Sequence, residues 1–125
     1  MKVTNTPKAP GAIGPYSQAI SANGFLFASG QCAFIPETGA IDGDTIEQQA
    51  ERCCTNIQAI LEANGVTFED VIKTTCFLAD MGDFAAFNGV YAKYFTGKPA
   101  RSCVAVKTLP RNVLCEIEFV AVLKD

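Results

Sequence analysis

The apolar positions of this chain follow two rhythms, and the switches between them mark its elements. From Phe25 to Ala33 the run FLFASGQCA is aromatic and small, and Pro36-Glu37-Thr38-Gly39 supplies turn chemistry before Ala40-Ile41. That pattern predicts a strand, a turn and a short strand. The spacing then changes to three and four, with Ile46, Ala50, Cys53, Cys54, Ile57, Ile60 and Leu61 on one side of a helix. Thr45-Ile46-Glu47-Gln48 has the form of a capping box at its start, and Asn64-Gly65 is a left-handed stop. Glu47, Glu51, Arg52 and Gln58 are left to face water. Val71 to Ala79 is β-branched and apolar over the length of a central strand. Asp80-Met81-Gly82-Asp83 breaks it, and Asp83 is placed to cap a second helix through about Phe95. Phe84, Phe87, Asn88, Val90, Tyr91, Tyr94 and Phe95 form a broad stripe on that helix, expected in the core. Ala100–Val106 and Leu114–Val122 read as closing strands around a turn at Leu109-Pro110-Arg111-Asn112.

The order is β-β-(β)-α-β-α-β-β with no internal repeat or linker, so residues 1–125 form one α+β domain. A single mixed sheet with both helices on one face is the simplest way to bury the stripes. The other face then lacks a cover. Ahead of the first strand, Pro7 to Pro15 holds three prolines and two glycines and is expected to be an ordered loop delivering Tyr16 to the body.

Composition sharpens this picture in three places. Hydrophobic residues make up 49% and charged residues only 18%, too little polar material to coat a lone small domain, so some apolar surface is expected to lie against another subunit. A net charge of −3 offers no attraction to a polyanion, which disfavours nucleic acid as a partner. The densest basic pairing, Lys107 with Arg111, is explained equally by a solvated turn and by a phosphate site. Six cysteines without C-x-x-C spacing, and no His, argue against a structural metal, and no cofactor is implied. The N-terminus lacks the apolar core of a signal peptide, so free thiols and a cytoplasmic location are expected, most of the thiols as small buried hydrophobes. No apolar run approaches the ~20 residues that cross a bilayer, so no membrane partner is expected.

Without His there is no Ser-His-Asp triad and no Cys-His pair, which leaves Arg, Glu, Tyr, Ser, Asn and Cys to carry chemistry. Arg101 lies in a small apolar strand beside Ala100, Cys103 and Val104, where a guanidinium needs an acidic neighbour or a ligand. An anion site and an edge ion pair with Glu116 or Glu118 both satisfy that need. Glu116 and Glu118 alternate with Cys115, Ile117 and Phe119, so the two carboxylates share one strand face, which by itself describes an ordinary half-exposed strand. Tyr16 either enters a site or staples the proline-rich loop to the core.

Together these residues resemble the RidA/YjgF/L-PSP family. The segments are Gly14-Pro15-Tyr16-Ser17-Gln18-Ala19, Ala28-Ser29-Gly30-Gln31, Asp83-Phe84-Ala85-Ala86-Phe87-Asn88, Pro99-Ala100-Arg101-Ser102-Cys103-Val104 and Glu116-Ile117-Glu118, in order and spacing along nearly the whole chain. The resemblance implies a chorismate-mutase-like α+β fold, a homotrimer with ligand clefts between subunits, and hydrolysis of reactive 2-imino acids such as 2-iminobutanoate and 2-iminopropanoate to 2-keto acids and ammonia. By the same resemblance Arg101 holds the substrate carboxylate, Glu116 and Tyr16 position a water, and Cys103, Ser29, Gly30 and Asn88 line or support the pocket. The link before Pro99 is shorter than in some relatives, which bears on the rim of the cleft. Two further readings travel with the family: an endoribonuclease that inhibits translation, against which the acidic charge and missing His speak, and a non-catalytic small-carboxylate binder or chaperone-like oligomer.

Overall fold

The structure is a computed structural model and describes residues 1–124. Its first hairpin rests on a signal that the periodicity passes over. Strands β2 (Ala19–Ala22) and β3 (Phe25–Gln31) are joined by Asn23 and Gly24 at φ 54° and 84°. With both central residues left-handed, the turn matches the twist of the two strands, and Asn-Gly is the pair that tolerates it best. β1 (Lys2–Thr4) adds a three-residue edge to β2. The short strand expected at Ala40-Ile41 is reduced to one isolated bridge between Phe34 and Ile41.

Helix α1 (Ile46–Ala63) starts and stops where its caps place it. Thr45 accepts from the Gln48 N–H, the Gln48 side chain returns the bond to the Thr45 N–H, and Gly65 takes φ 70° after the C-cap Asn64. β4 (Val71–Leu78) follows, then α2 (Phe84–Tyr94). Asp83 stands at the N-cap of α2 without a side-chain bond; it is Asp80 that turns the chain, accepting from the Gly82 N–H at 2.8 Å. β5 (Ala100–Ala105) and β6 (Cys115–Val122) complete a six-stranded sheet in the order β1-β2-β3-β6-β4-β5. Every pairing is antiparallel except β4 with β5, which run parallel with α2 as the crossover between them.

Both helices cover the same face. Leu26, Leu78, Cys115, Ile117 and Ala121 from the strands and Cys53, Ile57 and Ile60 from α1 are fully buried between them, each large aliphatic side chain contributing about 1.5–3 kcal/mol relative to exposure. The stripe on α2 is core at Phe87, Tyr91 and Phe95, and the last two rings stack at 4.3 Å. The opposite face carries Phe25, Phe27, Ile72, Val104 and Val122 at 37–48% exposure, the uncovered apolar surface that the composition anticipates.

Candidate functional site

The cationic half of the candidate site is built on an edge. The parallel register sets Thr74 beside Arg101 and Cys76 beside Cys103, so Arg101 and Cys103 both project to the helix side of β5. There α2 offers Phe84, Asn88 and Tyr91, residues four and three apart and therefore on one helix face. The Arg101 guanidinium lies over the Tyr91 ring at 4.7 Å and the Phe84 ring at 5.5 Å, and its Nη1 donates to Asn88 Oδ1 at 2.8 Å. Two aromatic faces and one amide fix a cation without neutralising it. Tyr91 is itself anchored through its hydroxyl to the buried Thr74 hydroxyl at 2.7 Å. Among the described residues no carboxylate lies within ion-pair distance of Arg101. An edge ion pair with Glu116 or Glu118 is therefore not what Arg101 makes. An open groove of about 510 Å³ lies in front of it, lined by Asn88, Tyr91, Phe95, Lys98 and Pro99.

Cys103 sits two residues along the same strand, half-buried. Burial raises its thiol above the ordinary value, with Arg101 opposing and Cys115 adding to the rise. A neutral thiol there is a wall rather than a nucleophile.

The carboxylate half lies on the other side of the sheet. Glu116 pairs across with Phe77, and Ile117 with Cys76, so the alternation that buries Ile117 under α1 turns Glu116 to the face without helices. It stands against Gly30. A Cβ at position 30 would meet Glu116 Oε2 at 1.8 Å and Cγ at 2.9 Å, so only glycine leaves room for this carboxylate. The register shift between Ala28 and Gln31 brings the β3 backbone to that approach. Cys32 Sγ, at 3.4 Å, donates to Glu116 Oε1. Burial first, and the Glu116 charge second, push the Cys32 thiol well up and keep it a donor.

The proline-rich loop closes over this half. Its organiser is Gln18, whose carboxamide accepts from the Thr6 N–H at 2.7 Å and donates to the carbonyls of Thr6 and Pro10 at 3.0 and 2.9 Å. Ser29 ties the loop to β3 by donating to the Ser17 carbonyl at 2.6 Å. Tyr16 does not staple the loop: it is 55% exposed, and it lines a cavity of about 330 Å³ with Gly30 and Cys32. A neighbouring depression joins Tyr16 to Ser29 and Glu118.

The predicted residues thus fall into two groups. Arg101, Asn88 and Cys103 meet on the helix side of β5; Glu116, Gly30, Ser29 and Tyr16 meet on the open side under the loop. One chain does not bring the groups together. Four supporting residues escaped the reading of the sequence: Phe84 and Tyr91 under Arg101, Cys32 beside Glu116, and Gln18 in the loop. The stripe on α2 was legible as core, but nothing local marks which ring a distant arginine will cover.

Comparison with known proteins shows the family and the fold. The family model described as Endoribonuclease L-PSP matches residues 6–123. A RutC family protein of Synechocystis is 52% identical over 98% of this chain and 97% of its own length. Reactive Intermediate Deaminase A, chloroplastic, of Arabidopsis thaliana is 48% identical over 98% of this chain and 66% of its own length. The crystal structure of Escherichia coli TdcF with bound serine superposes with a TM-score of 0.93 at 42% identity, covering 99% of this chain and 100% of that one. The chain belongs to the RidA/YjgF/L-PSP family, which includes deaminases of reactive intermediates. No helix among the described residues is long and apolar enough to cross a membrane.

Proposed function

We propose that this chain hydrolyses 2-imino acids, 2-iminobutanoate and 2-iminopropanoate among them, to 2-keto acids and ammonia, in clefts formed between copies of a cytoplasmic homotrimer. The observation that carries the proposal is Arg101: a guanidinium held by Asn88 and two rings, with no acid among the described residues to neutralise it, is poised for an external carboxylate. Its fork takes a carboxylate bidentately, which a lysine would not do. Because Glu116 faces the other side of the sheet, the cleft needs Arg101 of one copy and Glu116, Tyr16 and Gly30 of the next. The apolar open face gives the copies a surface on which to meet. The serine bound to TdcF, a small molecule with a carboxylate, supports the same ligand chemistry.

The chemistry follows from these groups. With the carboxylate on Arg101, a water held by Glu116 and the Tyr16 hydroxyl attacks the C=N carbon. The new C–O bond forms as Glu116 accepts the water proton and passes it to the imine nitrogen, giving a carbinolamine and restoring the carboxylate; Glu116 then carries the carbinolamine hydroxyl proton to the amino nitrogen. The C–N bond then breaks, ammonia leaves and the keto acid remains. A positioned general base supplies about 10²–10⁴-fold, which suffices for imines that already hydrolyse in water.

A coupled assay tests this. An amino-acid oxidase or threonine dehydratase generates the imine, and semicarbazide competes for it. Acceleration of keto-acid release by the wild type, lost in Glu116→Gln and Arg101→Lys at unchanged melting temperature, is the expected result. Full acceleration in either variant refutes the mechanism, and none in the wild type refutes the activity.

A further inference from the structure

The basic turn after β5 is not used by the mechanism, yet the structure builds it with care. Arg111 and Asn112 adopt left-handed conformations in succession, φ 52° and 59°, and neither is glycine. Consecutive strained residues persist only where the surroundings hold them. Arg111 Nη1 donates to the Gly39 carbonyl at 2.7 Å and its guanidinium covers the Phe34 ring at 5.0 Å, so the head group is held in the wall of the loop cavity. Among the described residues it has no acidic partner, and no acid lines the cavity. Ile13, Phe34 and Ile35 give it apolar walls, Thr38 adds a hydroxyl, and Tyr16 and Gly30 line it too. The same cavity is therefore lined both by the group proposed to hold the attacking water and by a second, uncommitted guanidinium. At about 330 Å³ it is of the size that holds a small organic molecule.

We infer that this cavity receives the substrate's side chain and that Arg111 recognises an acidic group at its end, so that the preferred substrates are 2-imino dicarboxylic acids. The inference rests on the deaminase reading above and extends it to substrate class. A short alkyl side chain reaches the apolar walls only. A side chain ending in a carboxylate, two or three carbons on, passes along them to the fork, whose other N–H groups have no partner among the described residues and can make a bidentate contact. Fixing the guanidinium in advance, by the ring and the carbonyl, reduces the ordering cost of that contact.

The test compares imines made by oxidation of glutamate and of alanine, trapped in competition with semicarbazide, on the intact protein. The wild type is expected to show a kcat/KM for 2-iminoglutarate at least about tenfold above that for 2-iminopropanoate, a gap of about 1.4 kcal/mol in transition-state stabilisation. Arg111→Met is expected to collapse that ratio, chiefly through KM for the dicarboxylate, while Arg111→Lys, which keeps the charge, retains part of it. Equal rates on both imines in the wild type, or an unchanged ratio in Arg111→Met, overturns the inference and leaves the deaminase reading standing. If neither imine is accelerated, the deaminase reading falls, and calorimetry then decides on the cavity alone. Tighter binding of 2-oxoglutarate than of pyruvate, lost in Arg111→Met, supports the site; equal binding rejects it.

Discussion

The two faces of this sheet treat their polar residues in opposite ways. On the helix side, Arg101 is a cation held by the π-faces of Phe84 and Tyr91 and by the Asn88 amide, so its support comes from a helix packed on the sheet. On the open side, Glu116 is a carboxylate held by the Cys32 thiol and by the missing Cβ of Gly30, so its support comes from the neighbouring strand and the residue that follows it. Placing the two charges back to back across one sheet prevents them from pairing. A chain that let Arg101 and Glu116 meet would neutralise both charges; separating them leaves each available to a ligand, and on the proposed function a second copy unites them.

The comparison can be broken most strongly by exchanging burial between adjacent residues of β3. Leu26→Ala, on the helix side, is expected to lower unfolding free energy by about 2–5 kcal/mol, as deletion of a fully buried Leu does, in denaturant titration. Phe27→Ser, on the open side, is expected to lower the mass in light scattering instead, since that ring is half exposed in the single chain. A mass unchanged by Phe27→Ser would remove the open face from the proposed assembly.

Gly30→Ala separates site from fold. The added Cβ collides with the Glu116 side chain from Oε2 to Cγ, not with backbone, so Glu116 must swing away. Imine turnover is expected to fall by about 10²-fold, the contribution of a positioned base, with a melting temperature within a few degrees of wild type. Turnover near wild type would show that Glu116 need not stand where Gly30 places it.

Asn88→Ala removes the hydrogen bond from Arg101 to Asn88, its one side-chain hydrogen bond among the described residues, while leaving both rings in place. About a tenfold loss in kcat/KM is expected, the scale of one hydrogen bond to a charged group, appearing in KM for the substrate. A loss in kcat alone would place Asn88 elsewhere in the mechanism.

The smallest effect concerns Cys103. Its pKa is raised by burial, so the folded state favours the neutral thiol and the thiolate develops only at a pH above that of a free cysteine. Iodoacetamide is expected to label Cys103 more slowly than a free cysteine at pH 8, with the rate climbing as pH rises. Labelling at pH 8 as fast as a free thiol would show that Arg101 outweighs burial.

The fold was legible where local chemistry is decisive. Thr45 and Gln48 start α1 by satisfying backbone donors within four residues, and Asn64-Gly65 stops it by accepting a left-handed backbone; neither needs anything distant. β1 and β2 were not located, because strands of three and four residues are too short to carry a periodicity to read. Asn23-Gly24 was a usable signal for that hairpin. Among site residues, Arg101 announced itself as a charge in an apolar strand, and Glu116 with Glu118 as carboxylates on one face. Cys32, Gln18, Phe84 and Tyr91 look in the sequence like loop or core.

By itself the sequence determined the helices, the long strands, the shared face of the two glutamates and the surplus of apolar surface, because these follow from caps, alternation and composition within a few residues. Only the tertiary structure decided that Arg101 and Glu116 stand on opposite faces. That depends on β5 pairing parallel to β4 and antiparallel β6 lying on the far side of β4. A one-residue change in either register would turn a side chain to the other face, and no local pattern encodes the pairing between strands brought together across a helix.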